Sequence, residues 1–513
     1  MDRRLRVFLP VLPLLLLSAC GGGKGSSAPP PANFQVTAQD QAVTATWTDD
    51  PTIDYWLFIG PIGTTPNNFA NTAGAYAIPH VTSPYSVSTL VFNNLSQALV
   101  NGQDYDVSIN ARSNGGPGGA PSVISAQRPR AAGGTFTPDI TLVNSRDNLT
   151  DDLTGASFGV PYFLNGSVIQ ATGAPAEFVF SGRAGATFYS TLNSDGIHYT
   201  FHPVNNGLPA TVNINGLAND GSYGFLQVGA GGTASYSLDG QTWTPQTTNT
   251  AVNLNGVTSF GGSWGVTGDG CHLYGVGGTP TGNTQGTSWG DYSANLIAAF
   301  PSLCSSSTPA NLLSSVAGSN FVTVVGTQGM LAYSASYTAT APGWTAAVVN
   351  LPTGVAASNV TLRSVVYGTY LPTGAVTSSP LWVAVGDYTD GNGNTHPLIL
   401  YSYTLSNWAA ATLPANVTGH LYGATVGRDP ATGLAVKLLA VGDNGTVLIS
   451  PLVTTVVASN LPTLTAPTTT VTSTPAQVWT ASVSNTNSTL YAISNGHFGF
   501  EVAGAAGVNL YSY

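Results

Sequence analysis

The sequence predicts an all-β chain in two bodies, a small N-terminal β-sandwich followed by a C-terminal β-propeller. Three observations lead there. Of 513 residues only 7% are charged, while 61 are glycine, and the abundant Ser, Thr and Asn suit strands and turns rather than helices. The phrase G-x-x-G-x-x-x-[Tyr/Ile]-Ser begins at Gly182, Gly229, Gly326, Gly442 and Gly504, which marks one supersecondary unit used repeatedly. Residues 34–130 read differently, as short alternating strands between turns.

The chain starts with Arg3, Arg4 and Arg6, an apolar run from Val7 to Leu17, and then Leu17-Ser18-Ala19-Cys20. Residues 1–19 read as a secretory signal, because the apolar run is too short to cross a bilayer. Leu-Ser-Ala-Cys resembles a bacterial lipobox, which implies that Cys20 is lipidated and becomes the new N-terminus. The plainer alternative is an ordinary cleaved signal with a chance cysteine. Gly21 after the cysteine, rather than Asp, implies the outer membrane of a Gram-negative cell, on its periplasmic or its surface side. Residues 20–32 are a Gly/Ser/Pro tether. Loss of the leader's Asp2 and its three arginines leaves nine basic and twenty-one acidic residues, a net charge near −12. Nucleic acid is therefore not an expected partner, since phosphate contacts need clustered Lys and Arg.

In residues 33–130, Val36, Ala38, Val43, Ala45 and Trp47 mark a hairpin. Tyr55 to Ile59, Ser86 to Phe92, Tyr105 to Ala111 and Val123-Ile124 supply further strands. With Trp47 in the second strand, Leu95 before the Asn101-Gly102 turn and Tyr105 opening the next strand, this region resembles a fibronectin type III domain. The resemblance implies a spacer or a weakly adhesive module.

Residues 134–513 fall into seven comparable units. Each has an apolar run, as in Phe321 to Val325, before its first glycine, the mark of a strand buried on both faces. The two glycines of the phrase are expected at positive φ in the hairpin turn. A short strand precedes most units, such as Leu254 to Phe260 or Leu362 to Tyr367, and an aromatic such as Trp243, Trp344 or Trp408 opens a fourth strand. Four strands repeated seven times specify a propeller, with six or eight blades left open. The segment from Phe136 to Val143 is expected to complete the last blade and close the ring. Ser237, Asp239, Gly240 and Trp243 resemble an Asp-box, the turn motif of sialidase-type propellers and of photosystem-assembly-factor repeats. Asn193 to Gly196 is a weaker copy. The resemblance implies a structural role for the box.

Chemistry is sparse. Cys271 and Cys304 form a disulfide in an oxidising compartment, or stay as two buried thiols. A sialidase needs an arginine triad, but the ring holds only Arg146, Arg183, Arg363 and Arg428, with Glu177 and Glu501 as its glutamates. Asp220, Asp269, Asp291 and Asp387 are candidate carboxylates for another glycoside hydrolase or lyase, which needs two facing one bond. Asp390 to Asn394 has the alternation of a calcium loop but lacks the glycine and the closing glutamate. His198 and His202 are spaced as a metal pair but lie in a strand context. No metal or cofactor is expected. The expected function is a non-enzymatic envelope lipoprotein that presents a propeller face to a protein or glycan partner. The alternative is a carbohydrate-active enzyme with its site at the channel.

Overall fold

The computed structural model describes residues 26–39, 42–87, 89–92, 95–99, 103–127, 129, 133–138, 151–165, 168–194, 198–260, 263–277, 288–318, 320–335, 343–372, 377–428, 433–451, 476–496 and 499–512. Cys20, Asn101-Gly102, Arg146 and Asp195-Gly196 lie outside them. The chain divides into two compact units, Met1–Ala131 with Val457–Pro467, and Ala132–Val456 with Thr468–Tyr513.

The first unit is a two-layer sandwich. One sheet runs in the order Ser26–Ala28, Tyr105–Ser113, Ile53–Pro61, Tyr76–Val81, with Ser122–Gln127 also paired to Tyr105–Ser113. The other joins Gln35–Gln39, Ala42–Thr46 and Tyr85–Val87. Their inward residues form one core, in which Val43 and Ala45 meet Leu57, Ile59, Val107 and Ile109, all fully buried. Alternation carried most of these positions. Ser26–Ala28 departs from expectation. Composition places these residues in the tether, yet they pair with Ala111 to Ser113 and bury Ala28, because the long Tyr105 strand offers them an open edge.

Among its described residues the second unit contains seven blade sheets, six of four antiparallel strands and one of five strands, besides a two-stranded hairpin of Tyr162–Asn165 and Val168–Ala171. Their innermost strands are Leu153–Gly159, Ile214–Asn219, Leu254–Phe260, Leu312–Gly318, Val360–Tyr370, Leu421–Arg428 and Leu490–Asn495, which define blades 1 to 7. Each innermost strand touches that of the next blade, and blade 7 returns to blade 1. The ring is a seven-bladed β-propeller. Seven separate sheets are not the single closed sheet of a membrane barrel. The last blade is completed from the front of the chain, where Thr137 and Pro138 pair with Tyr511 and Leu510. The second strands are the most buried, with all six residues of Glu177–Gly182 and all five of Phe225–Gly229 and of Phe500–Gly504 inside, the polar Glu177, Gln227 and Glu501 included. Blade 5 carries a fifth strand, Val348–Asn350, lying parallel against Asn407–Ala410.

The repeated phrase sits at the turn between second and third strands, and its glycines have different jobs. The first glycine is extended, with φ of −167° at Gly182 and −166° at Gly442. A Cβ there would strike the carbonyl oxygen of the residue that leads into the blade's innermost strand: Asp152 for Gly182, Asn311 for Gly326, His420 for Gly442. Close approach, not φ, therefore demands that glycine, which corrects the reading that both need positive φ. The left-handed positions are the second glycine and the residue before it, as a type I′ turn requires: Gln328 and Gly329 at 57° and 71°, Asn444 and Gly445 at 54° and 66°.

Candidate functional site: the front mouth of the channel

The innermost strands begin at one end of the ring, where the second-to-third turns also lie. Backbone bonds tie the two together in blade after blade, for example Arg183 N–H to Asp152 at 2.8 Å and Asp443 N–H to His420 at 3.0 Å. This end is called the front. Six innermost strands open with a fully buried Leu or Ile paired to the first glycine of the phrase, Leu153 with Gly182 and Leu421 with Gly442 among them, and in blade 5 the third residue, Leu362, pairs with Gly386. The next residue is then skipped by the pairing. These skipped residues are Thr154, Asn215, Asn255, Leu313, Arg363, Tyr422 and Tyr491. A β-bulge re-aims one side chain, and here seven bulges put a ring of seven side chains around the channel. All seven line a cavity of about 540 Å³ that passes every blade.

The ring is not uniform. In blades 1 to 3 each side chain bonds to the opening carbonyl of the next blade: Thr154 Oγ1 to Ile214 at 2.6 Å, Asn215 Nδ2 to Leu254 at 2.9 Å, Asn255 Nδ2 to Leu312 at 3.0 Å. Blade 4 contributes the apolar Leu313. In blades 5 to 7 the same position holds Arg363, Tyr422 and Tyr491, which touch one another. Arg363 lies over the Tyr422 ring at 5.3 Å, and the two tyrosine rings meet edge-on at 5.0 Å.

Carboxylates brace this second arc from behind. Asp387, 5% exposed, accepts from Arg363 Nε at 3.0 Å and Nη2 at 2.7 Å, and lies 3.0 Å from His420 Nδ1. Asp443 accepts from the His420 N–H at 2.9 Å and the Thr489 hydroxyl at 3.1 Å. Asp152 pairs with Arg183 at 3.1 Å and accepts from the Ala506 N–H. Burial, then the Asp443 charge, pushes the Tyr422 hydroxyl up to about 12. Burial first, then Asp152, likewise raises Tyr491. Both phenols are neutral at physiological pH. The described wall of the cavity includes Arg363 and Arg428 but no Asp, Glu or Lys. Arg428, on the rear side, donates to the carbonyls of Tyr367 at 2.9 Å and Gly433 at 3.1 Å.

The four candidate carboxylates are not brought together. Asp220 lies in the turn after the first strand of blade 2, at the rear, and Asp269 lies in a front turn of blade 3, held by Asn253 and Asn255. Asp291 ends the outer strand of blade 3 and bonds to Ser293, while Asp387 alone reaches the channel arc. The Asp390 carboxylate closes its own hairpin, accepting from the N–H groups of Asn392 and Asn394 and lying 3.0 Å from His396 Nε2. His202 bonds to Thr191 and His198 packs on Tyr511. Among the described residues no cluster of three or more His, Cys, Asp or Glu could hold a metal.

Cys271 and Cys304 are joined by a disulfide. Cys271 takes the second-glycine place in blade 3, at φ 64°. Cys304 ends a short helical insert, Ser293–Ala299 and Pro301–Cys304, that precedes blade 4. The Asp-box folds as a turn at the rear of blade 2. Asp239 Oδ1 accepts from the Ser237 hydroxyl and from the N–H groups of Gln241 and Thr242, and the Trp243 ring N–H donates to Gly240 at 2.7 Å. Trp408 and Trp479 make the same bond to Leu405 and Ala476, so the turn recurs where its sequence does not.

Sequence reasoning missed the bulge ring. Its signal was present: each innermost strand carries at or near its start Leu or Ile, then any residue, then Gly, Ser or Ala, as in Leu254-Asn255-Gly256 and Leu421-Tyr422-Gly423. No family model matches the sequence, and no curated protein matches it. Among solved structures the chain is similar to YCF48 from Cyanidioschyzon merolae, at 13% identity and a TM-score of 0.43, over 74% of this chain and 98% of that one. It is also similar to a structure of YCF48 bound to D1 peptide, at 14% identity and a TM-score of 0.42, over 71% and 92%. The seven-bladed architecture rests on the strand pairing of the chain itself.

Proposed function

We propose that this chain is a non-enzymatic binding or scaffold module of the cell envelope, held to the membrane by a lipid on Cys20, whose front channel mouth engages a protein or glycan partner. The asymmetry of the bulge ring carries the reading. Blades 1 to 3 use the position to join blades, whereas blades 5 to 7 fill it with Arg363, Tyr422 and Tyr491, residue types enriched where proteins bind others. Against hydrolysis stand the wall, which offers no carboxylate among its described residues, and the rim carboxylates Asp387, Asp443 and Asp152, each already accepting two bonds. The fibronectin type III-like sandwich serves as a spacer in this reading, and the outer membrane is its site.

The test compares two variants of the full chain as bait in a native envelope extract. Arg363→Ala/Tyr422→Ala/Tyr491→Ala is expected to lose the partner, while Arg428→Ala at the rear keeps it. Equal capture by both would remove the front mouth from function. Cys20→Ser is expected to move the protein from the membrane to the soluble fraction, and retention in the membrane would remove the lipid anchor.

A further inference from the structure

We propose that the front mouth is a subsite for a neutral, hydroxyl-rich oligosaccharide that packs on Tyr422 and Tyr491 and takes hydrogen bonds from Arg363. This rests on the binding reading above and names its ligand class.

Charge narrows the choice. An anion entering the mouth would compete with Asp387 for Arg363, since Nε and Nη2 already meet that buried carboxylate. The other wall cation, Arg428, is held at the rear by two carbonyls. A cation would find no carboxylate among the described wall residues, and the rim acids are engaged: Asp387 by Arg363 and His420, Asp152 by Arg183 and a backbone N–H, Asp443 by a backbone N–H and a hydroxyl. The chain is strongly acidic, yet its cavity is close to neutral.

What the mouth does present is aromatic surface beside neutral donors and acceptors. Tyr422 and Tyr491 stand edge-on at 5.0 Å, both half-buried, so their rings are fixed while part of each stays open. A sugar ring has the complementary character: an apolar C–H face to lie on an aromatic, and hydroxyls around its edge. Arg363 has Nη1 without a partner among the described residues, and its Asp387 pair fixes the plane from which that nitrogen donates. Behind the tyrosines the wall continues as Ser364, Thr425 and Ser494, hydroxyls that suit an uncharged polar ligand. A cavity of about 540 Å³ lies within the range of small-ligand sites.

Titration calorimetry of the full chain in detergent, against cellohexaose, maltohexaose, mannohexaose and hexa-N-acetylchitohexaose, tests this. Hexalysine and hexagalacturonate serve as the cationic and anionic probes. At least one neutral hexaose is expected to bind, and to bind more tightly than either charged probe. Tyr422→Ala and Tyr491→Ala should each weaken it by about tenfold, the loss of a packed aromatic face. Tyr491→Phe, which keeps the face, should stay within about threefold, and Asn392→Ala, in the exposed hairpin tip of blade 5 outside the cavity wall, within about twofold. Thermal melts of each variant separate lost binding from lost folding. Binding of hexalysine or hexagalacturonate in preference to every neutral hexaose overturns the proposal, as does binding that both tyrosine-to-alanine variants leave unchanged. If no saccharide binds while envelope capture still depends on the same three residues, the ligand class falls and the binding module stands. If capture is also lost as readily at the rear, both fall.

Discussion

Blades 1 to 3 and blades 5 to 7 build the same bulge on the same backbone and use it for different ends. In the first arc Thr154, Asn215 and Asn255 each reach the carbonyl that opens the next blade. Each such bond contributes about 1 kcal/mol net, and more if its loss strands a buried acceptor. In the second arc the joints are made instead by Arg363 on Tyr422, His420 beside Asp387, and Tyr422 on Tyr491. The difference shows that the ring needs a bulge in every blade but not the same lock in every joint. Where side chains of the second arc hold one another, they also turn part of their surface to the channel. In the proposed reading, stability and recognition fall on opposite sides of one cavity.

The comparison breaks most directly at Arg363. Arg363→Met leaves Asp387, 5% exposed, facing only His420. Removing one partner of a buried pair costs about 3 kcal/mol, which urea unfolding would read. The double variant Arg363→Met/Asp387→Leu should regain most of that, because an apolar pair of similar volume replaces the charges. A loss below about 1 kcal/mol for the single variant would mean that the second arc is not electrostatically braced. An effect of the same size belongs to the other side. Cys271→Ser/Cys304→Ser opens a closure of 33 residues, worth about 3–4 kcal/mol in the chain-entropy account. The covalent link holds blade 3 to the insert before blade 4, so the variant should unfold earlier yet keep ligand binding in the second arc. Binding lost at a temperature where the variant is folded would show that the two arcs are coupled.

The fold was legible because its unit repeats. Apolar runs before Gly182, Gly326 and Gly442 mark strands buried on both faces, and that pattern needs no knowledge of tertiary contacts. The closing strand was legible at Thr137 and Pro138 for a similar reason, since a last unit with three strands implies a fourth from elsewhere. The role of the first glycine was not legible. Local preference points to positive φ, whereas the cause is a carbonyl arriving from a strand start well upstream, Asn311 for Gly326 and Asp152 for Gly182. The channel arc escaped for the same reason. Arg363, Asp387, His420 and Tyr422 come from two blades, and nothing in spacing brings Asp387 to His420 until the ring closes. Ser26–Ala28 was missed because a strand accepted at a sheet edge needs no hydrophobic pattern of its own.

A third test concerns pH and falls on the joint between blades 1 and 2. Glu177 is 4% exposed, and its carboxyl packs under Gly240 of the Asp-box turn. Burial, then the Asp239 charge, pushes it up to about 9, with a hydrogen bond from Gln241 opposing. Its folded-state value lies above its ordinary value of 4.5, so the folded chain holds a proton that the unfolded chain releases between these limits. Stability from this group is full below about pH 4.5, declines as pH rises towards about 9 and then levels off. Glu177→Gln is neutral throughout and should remove that slope, raising the melting midpoint by a few degrees at pH 8 and little at pH 4.5. Parallel melting curves for both proteins across the range would show that Glu177 ionises freely and that the joint is wetter than its burial implies.

The smallest effect distinguishes the arcs at their turns. The first left-handed position of the type I′ turn is glycine in blades 2 and 3, Gly231 at 64° and Gly270 at 67°. It is Ala506 at 52° in blade 7, and Ala184, also at 52°, in blade 1. An L-residue in that region is strained by about 1–2 kcal/mol, partly offset because glycine has more freedom to lose on folding. Ala184→Gly and Ala506→Gly should therefore each stabilise by about 0.5–1 kcal/mol. Gly231→Ala should destabilise by a similar amount, and steric crowding cannot confuse the result, since nothing lies within 4 Å of the added Cβ. Reciprocal shifts would show that both arcs obey one backbone rule, so that their divergence is confined to the seven side chains around the channel. Unequal shifts, with Ala506→Gly neutral and Gly231→Ala costly, would place a backbone difference beneath the second arc. Its side chains would then follow from altered turns, rather than from substitution on a common frame.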